Sequence, residues 1–360
     1  MNHTGLRFQP EESIQKRMPM YKLIGKNNRV NYGCIDEPIE WNYKEFKLLD
    51  FFNKEIKGFK KKFAYHQFNY VGITAGDYIL GFATVDLGYL YNVFAFIHSK
   101  DQGIILESDD KVLGISKKIN FPRNPDNYLT TFKSGKTSVL VEKSHERGIL
   151  NIDCNFKGRL KFKGSFLFSI ESHQPLRVLN PSVPTRFTYT EKCSPLTTTD
   201  FKLSLDGNPL KYETDKVVAI YDWSGGFLRR ETNWYWTAFG AVLSDNTSIG
   251  ANFAAFTNET YFSENAFWVD HKRTRVSRVL YDFNEQEPYE PWHIYDEART
   301  MDLIFTPQGE RNDKMNGGPL VKMIFRQFVG TFDGFFKPKN NETVVFKGIK
   351  GFCEIHRAIW

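Results

Sequence analysis

The chain reads as almost entirely β: two antiparallel β units in tandem, with a minor helix near the N-terminus. Three observations predict this. Apolar and polar residues alternate in short runs, turn residues separate the runs, and aromatic residues fill 16% of the 360 positions, with 33 Phe, 17 Tyr and 7 Trp. A period of two puts successive side chains on opposite faces of a strand, and aromatic residues favour that half-buried, pleated surface. Hydrophobic residues, at 41%, suffice for a core, while stretches rich in Ala, Glu and Leu at helical spacing are scarce.

In chain order, residues 1–62 form an N-terminal extension, with a helix expected over Glu45–Lys62. The first β unit is expected over residues 63–180. Its apolar or alternating runs are Phe63–Val71, Tyr78–Asp86, Tyr89–His98, Gly103–Glu107, Ser138–Glu142, Gly148–Phe156, Arg159–Lys163 and Ser165–Glu171. Turn chemistry such as Ser108-Asp109-Asp110 and Ser134-Gly135-Lys136 divides them at hairpin spacing. The stretch His173–Ser204 breaks the rhythm with Pro175, Pro181, Pro184 and Pro195. Proline cannot donate to a ladder, so the division between units is placed here. The second unit, residues 181–360, resumes hairpin-like runs from Val217–Asp222 to Phe352–Trp360. Each half holds about eight short strands, the count at which a closed barrel encloses one small ligand.

The net charge of +6 arises from 48 basic and 42 acidic residues spread along the chain. One cluster stands out: Lys54, Lys57, Lys60, Lys61 and Lys62, interleaved with Phe59 and Phe63. Such a segment is either a solvated face or a weak contact with an anionic membrane surface. No recognition helix, zinc finger or aromatic RNA-binding motif accompanies it, so nucleic acid is not an expected partner. Cys34, Cys154, Cys193 and Cys353 form no CxxC pair, and the 8 histidines do not sit at ligand spacing. No metal and no cofactor are expected. Met1–Pro19 carries Glu11, Glu12, Lys16 and Arg17 without an apolar core, and no long apolar window follows. A cytoplasmic location is the expectation.

The densest constellation is Tyr221-Asp222-Trp223-Ser224-Gly225-Gly226 followed by Arg229 to Trp236. As a strand, Arg229, Glu231, Asn233, Tyr235 and Thr237 share one face, and Arg230, Thr232, Trp234 and Trp236 the other. The ionisable face meets either solvent or a polar cavity. Near the C-terminus, alternation puts Phe352, Glu354, His356, Ala358 and Trp360 on one side. A carboxylate two residues from a histidine on one face is either a structural hydrogen-bonded pair or the start of a general acid/base pair. The P-loop, GxGxxG, GxSxG and HExxH patterns are absent.

Asp222-Trp223-Ser224-Gly225-Gly226 leading to Arg230-Glu231-Thr232-Asn233-Trp234-Tyr235-Trp236 resembles the central motif of a largely bacterial family, domain of unknown function 2804. Gly250-Ala251-Asn252, Glu264-Asn265-Ala266-Phe267-Trp268, Pro291-Trp292, Tyr189-Thr190-Glu191-Lys192 and Gly330-Thr331-Phe332 fit the same pattern. So do Ala83 to Tyr89 and the closing set Gly351, Glu354, His356, Ala358 and Trp360. In the closing motif Ile355 stands where an acidic residue is common, so a role needing two carboxylates there does not carry over. The family is similar to calycin-type proteins built as tandem lipocalin-like barrels or half-barrels, including carotenoid hydratases and some cyclases. That likeness implies an apolar ligand cavity and allows cofactor-free acid/base chemistry.

Two functions follow as expectations. One is a module that binds a lipid-like or isoprenoid small molecule, with Trp234, Trp236, Asn252, Glu264 and Trp268 as ligand-binding candidates. The other is a hydratase, isomerase or cyclase acting on such a molecule, with Glu354, His356, Glu231 and Arg229 as catalytic candidates.

Overall fold

The computed structural model describes residues 20–114, 116, 118–168, 173–257, 261–318, 321–338 and 342–359. Two antiparallel sheets hold nearly all of the described strands, and each curls around its own core. The first sheet runs in the order Gly103–Leu113, Leu90–Ser99, Tyr78–Asp86, Tyr65–Ala75, Val218–Phe227, Arg186–Leu205, Leu160–Leu167, Ile149–Phe156, Thr137–Ser144 and Asn127–Ser134. Leu176–Val183 forms a hairpin with the start of Arg186–Leu205. The second sheet runs Lys272–Arg275, Ala266–Val269, Ser248–Ala255, Glu231–Val242, Val344–Ile359, Lys322–Phe336, Met301–Asn316, Trp292–Asp296 and Val279–Asp282. The chain is thus all-β, as read from its alternation.

Curling brings distant strands of one sheet together. Phe82 meets Phe162 with ring centroids 5.2 Å apart inside the first sheet, and Phe267 stacks on Phe336 at 4.2 Å inside the second. A third apolar cluster joins the two sheets back to back. It includes Tyr70, Phe94, Phe96 and Ile220 from the first sheet and Trp236, Phe325, Val329 and Phe352 from the second. Strands at this seam are buried on both faces, which explains near-continuous apolar runs such as Tyr78–Asp86. Strands far from it, such as Thr137–Ser144, alternate between buried and half-exposed positions.

The helix expected over Glu45–Lys62 is confined to Gly58–Ala64. Upstream, Asp50 Oδ1 accepts the backbone N–H groups of Phe52 and Lys54, each at 2.9 Å, and Asn53 takes a φ of 62°. This side-chain turn competes with helix for the same donors. The prolines of His173–Ser204 do not part the sheets either. Pro181 lies within the hairpin strand, and Pro195 sits where the register shifts between Cys193 and Leu196, positions that need no ladder donor. The chain leaves the first sheet at Phe227 and enters the second at Glu231.

The seam is tight around Gly72, where a β-carbon would collide with the Phe352 ring and lie 2.9 Å from Ile220 Cγ1. Gly72→Val is therefore expected to lower stability by about 1–3 kcal/mol. Urea unfolding should show part of that loss recovered when Phe352→Ala is added, because the two changes share one space.

Candidate functional site

A cavity of about 190 Å³ opens in the seam between the sheets. By the space one water needs, it holds on the order of ten water-sized groups. The interiors of the two curled sheets are packed by aliphatic and aromatic side chains together. This cavity lies where the outer walls of the two sheets face one another, rather than inside one curled sheet.

Alternation places the chemistry. Along Val344–Ile359, Cys353 and Ile355 enter the core of the second sheet, while Phe352, Glu354 and His356 face the seam. Glu354 and His356 do share a face, but it points away from their own sheet's interior and toward the first sheet. In register, His356 lies between Trp234 and Phe325, and Glu354 between Trp236 and Gln327. The Glu354 carboxyl accepts from Trp234 Nε1 at 2.6 Å and from Gln327 Nε2 at 2.8 Å. Gln327 in turn accepts from the Tyr70 hydroxyl at 3.0 Å, which ties the carboxyl to the opposite sheet. Burial pushes Glu354 up to about 7, against the opposing effect of its two N–H donors. His356 stacks on Trp234 at 3.8 Å with 4° between the planes, and burial lowers its pKa to about 3, so the imidazole is neutral.

A second polar group belongs to the first sheet. Lys192 and Asp222 are directly opposed on neighbouring strands and form an ion pair, and Lys192 Nζ also lies 3.5 Å from Glu264. Burial lowers the Lys192 pKa, but Asp222 and Glu264 outweigh it, so the net shift is upward and the ammonium stays charged. Asn252 donates to the Glu264 carbonyl at 2.7 Å and accepts from Trp236 Nε1 at 2.8 Å. It thereby supports the wall without lining it. A third charged group, Arg311, is 1% exposed, packs over Phe94 at 4.0 Å, and pairs with Glu107 and Asp109 at 3.0 and 3.3 Å. All three groups border the cavity.

Of the residues picked from sequence, Glu354, His356, Trp234, Trp236, Glu264 and Arg229 line this space. Arg229 sits at its edge and donates to the Phe256 carbonyl at 2.6 Å. Glu231 and Trp268 do not line it. Glu231 is exposed, because it falls on the opposite face of its strand from Thr232 and Trp234. Trp268 is fully buried against Leu176 and Val178 and donates to the Gln174 carbonyl at 2.8 Å, which makes it packing. No sequence pattern marks Tyr70, Gln327 or Arg311, and Lys192 and Asp222 stand out only as members of longer motifs. Trp360 lies outside the described residues. Among the described residues no group of three or more His, Cys, Asp or Glu is placed to hold a metal ion.

This arrangement of motif residues around one space coincides with a match to the model for the domain of unknown function DUF2804 over residues 31–360. The chain belongs to that family. Among curated proteins, none matches the sequence. Among solved structures, CghA aligns with a TM-score of 0.50 at 9% identity, covering 82% of this chain and 88% of that one. Kievitone hydratase from Nectria haematococca aligns with a TM-score of 0.47 at 11% identity over the same shares. At 9% identity the likeness to CghA shows that this DUF2804 chain shares its tandem half-barrel fold.

The two titrations in the site oppose one another in their effect on stability. Glu354 is raised above its ordinary value of 4.5, so its contribution is full below pH 4.5 and is lost as pH rises toward 7. His356 is lowered from 6.5, so its contribution is full above pH 6.5 and is lost as pH falls toward 3. Each spans on the order of a few kcal/mol. Unfolding measured from pH 4 to 8 should show the first decline removed in Glu354→Gln and the second in His356→Gln.

Proposed function

We propose that the chain binds an apolar small molecule in the seam cavity and acts on it by cofactor-free acid/base chemistry through Glu354. One observation carries the reading: a carboxyl fixed by two N–H donors sits on an aromatic wall and titrates near neutrality. A carboxyl poised near the working pH can both give and take a proton, which is what general acid/base catalysis requires. Trp234, Phe325 and Phe94 offer flat surfaces to the body of the molecule. Lys192 offers a charged donor for an oxygen on it. Neutral His356, stacked on Trp234, shapes the wall beside the carboxyl.

The carrier reading differs at one point. A carrier needs the cavity but not the neutral-range carboxyl. Tryptophan fluorescence titrated with retinol, oleate and other lipid-like or isoprenoid probes should change saturably, since Trp234 and Trp236 line the space. Glu354→Gln is expected to bind within about threefold of the parent protein. Its conversion of an apolar metabolite extract, followed by mass spectrometry, should fall by about 100-fold or more. Binding by both proteins with conversion by neither would leave the carrier. No saturable change across the panel would overturn both readings.

A further inference from the structure

The expected lysine cluster takes a different form in the structure from a plain run of charge. Among the described residues, Phe51, Phe52, Phe59 and Phe63 are 93%, 84%, 72% and 41% exposed. Four large rings held in water within one short segment are unusual on a protein surface that meets only solvent. Phe51 and Phe52 form the tip of a loop closed by the backbone pair Leu49 and Glu55. Phe59 and Phe63 lie together on the helix Gly58–Ala64, 6.2 Å between centroids. Lys54, Lys57 and Lys60 are exposed among them. Lys61 is not part of this surface, since its ammonium donates to the carbonyls of Lys44 and Phe46 and so pins the helix to the loop's stem.

Two further observations bear on what this surface meets. Beside the helix, a cleft of about 410 Å³ is bordered by Lys44, Lys61, Lys62 and Arg123, with Asp86 pairing Arg123 at 2.9 Å. The helix also packs on the turn Leu87-Gly88-Tyr89. A β-carbon on Gly88 would lie 2.6 Å from the Lys62 carbonyl, and Phe63 meets the Tyr89 ring at 5.9 Å. That same turn lines the seam cavity with Leu87 and Leu90. The C-terminal end of the helix, with Phe63, therefore sits on the outside of a turn whose inside is the cavity wall.

We propose that the segment from Phe51 to Phe63 seats the protein on the surface of an anionic lipid bilayer. The four rings enter the headgroup layer, and Lys54, Lys57 and Lys60 face the lipid phosphates. Charge complementarity selects this occupant over a neutral apolar partner, because cations ring the exposed aromatics and the only acid among residues 51–63 is Glu55, already paired with Lys57 at 3.0 Å. Seating here would bring the cavity wall next to the lipid from which an apolar molecule would come. That last link rests on the function proposed above, whereas the seating itself does not.

The test uses the full chain without ligand. Co-sedimentation with vesicles of mixed phosphatidylglycerol and phosphatidylcholine should bind the protein, binding should weaken as salt rises, and vesicles of phosphatidylcholine alone should not bind it. Phe51→Ser with Phe52→Ser should weaken binding about tenfold or more. Lys54→Glu, Lys57→Glu and Lys60→Glu together should weaken it by about 100-fold, each lysine near such a surface giving roughly fivefold. Unfolding midpoints should match the parent, since these side chains are exposed. Absence of binding, equal binding to both vesicle types, or variants that bind like the parent would overturn the proposal. So would a dimer that Phe51→Ser with Phe52→Ser abolishes in the absence of vesicle binding, which would assign the surface to a second copy of the chain.

Discussion

Everything polar in this protein's site answers to one constraint, the burial of both faces of the strands that meet at the seam. A side chain there leaves water whichever way it points. An unpaired polar group in such a place costs several kcal/mol, and two sets of side chains at the seam are wired together. Tyr70 reaches Gln327, Gln327 reaches Glu354, and Glu354 reaches Trp234, crossing from one sheet to the other. Asp222 and Lys192 form a second set on the facing wall, and Lys192 reaches across to Glu264 beside the second sheet. The seam holds two sheets together with apolar contacts and aligns them with a few hydrogen bonds.

The polar groups are also sorted by charge. The middle of the cavity wall carries neutral His356 and a carboxyl that is half protonated near neutrality. Full charges stand apart from it, on Lys192 with its two carboxylates and on Arg311 with Glu107 and Asp109. Each full charge has an opposite partner beside it. The proton on Glu354 is governed first by burial and then by its two N–H donors, while Asp222 and Lys192 act on it in opposite directions.

Much of this was legible from alternation. The apolar runs marked the strands, and the spacing of Glu354 and His356 put them on one face. The face's direction was not legible, because a seam strand is apolar on both sides and the pattern does not say which side is which. Cross-strand partners were equally hidden: Gln327 meets Glu354, and Lys192 meets Asp222, only through register set by turns and bulges. Proline misled for a definite reason. Pro195 occupies a bulge, where the ladder asks for no donor, so it interrupts a strand without ending a sheet. Trp268 misled because a buried indole whose N–H reaches a backbone carbonyl looks, in sequence, like any other tryptophan.

The position of the strand Val344–Ile359 has a consequence for how the chain comes to be folded. It pairs with Glu231–Val242 on one side and Lys322–Phe336 on the other, and it emerges from the ribosome after both. The ladder between Glu231–Val242 and Val344–Ile359 closes the longest loop in the second sheet, the kind of non-local pairing that forms slowly. All strands of the first sheet lie earlier in the chain, so its outer apolar flank at Tyr70, Phe94 and Ile220 is made long before its cover exists. A nascent chain in that state offers the sticky surface that chaperones bind and that aggregation exploits. The stretch that carries Glu354 and His356 is thus also the one whose arrival ends that exposure.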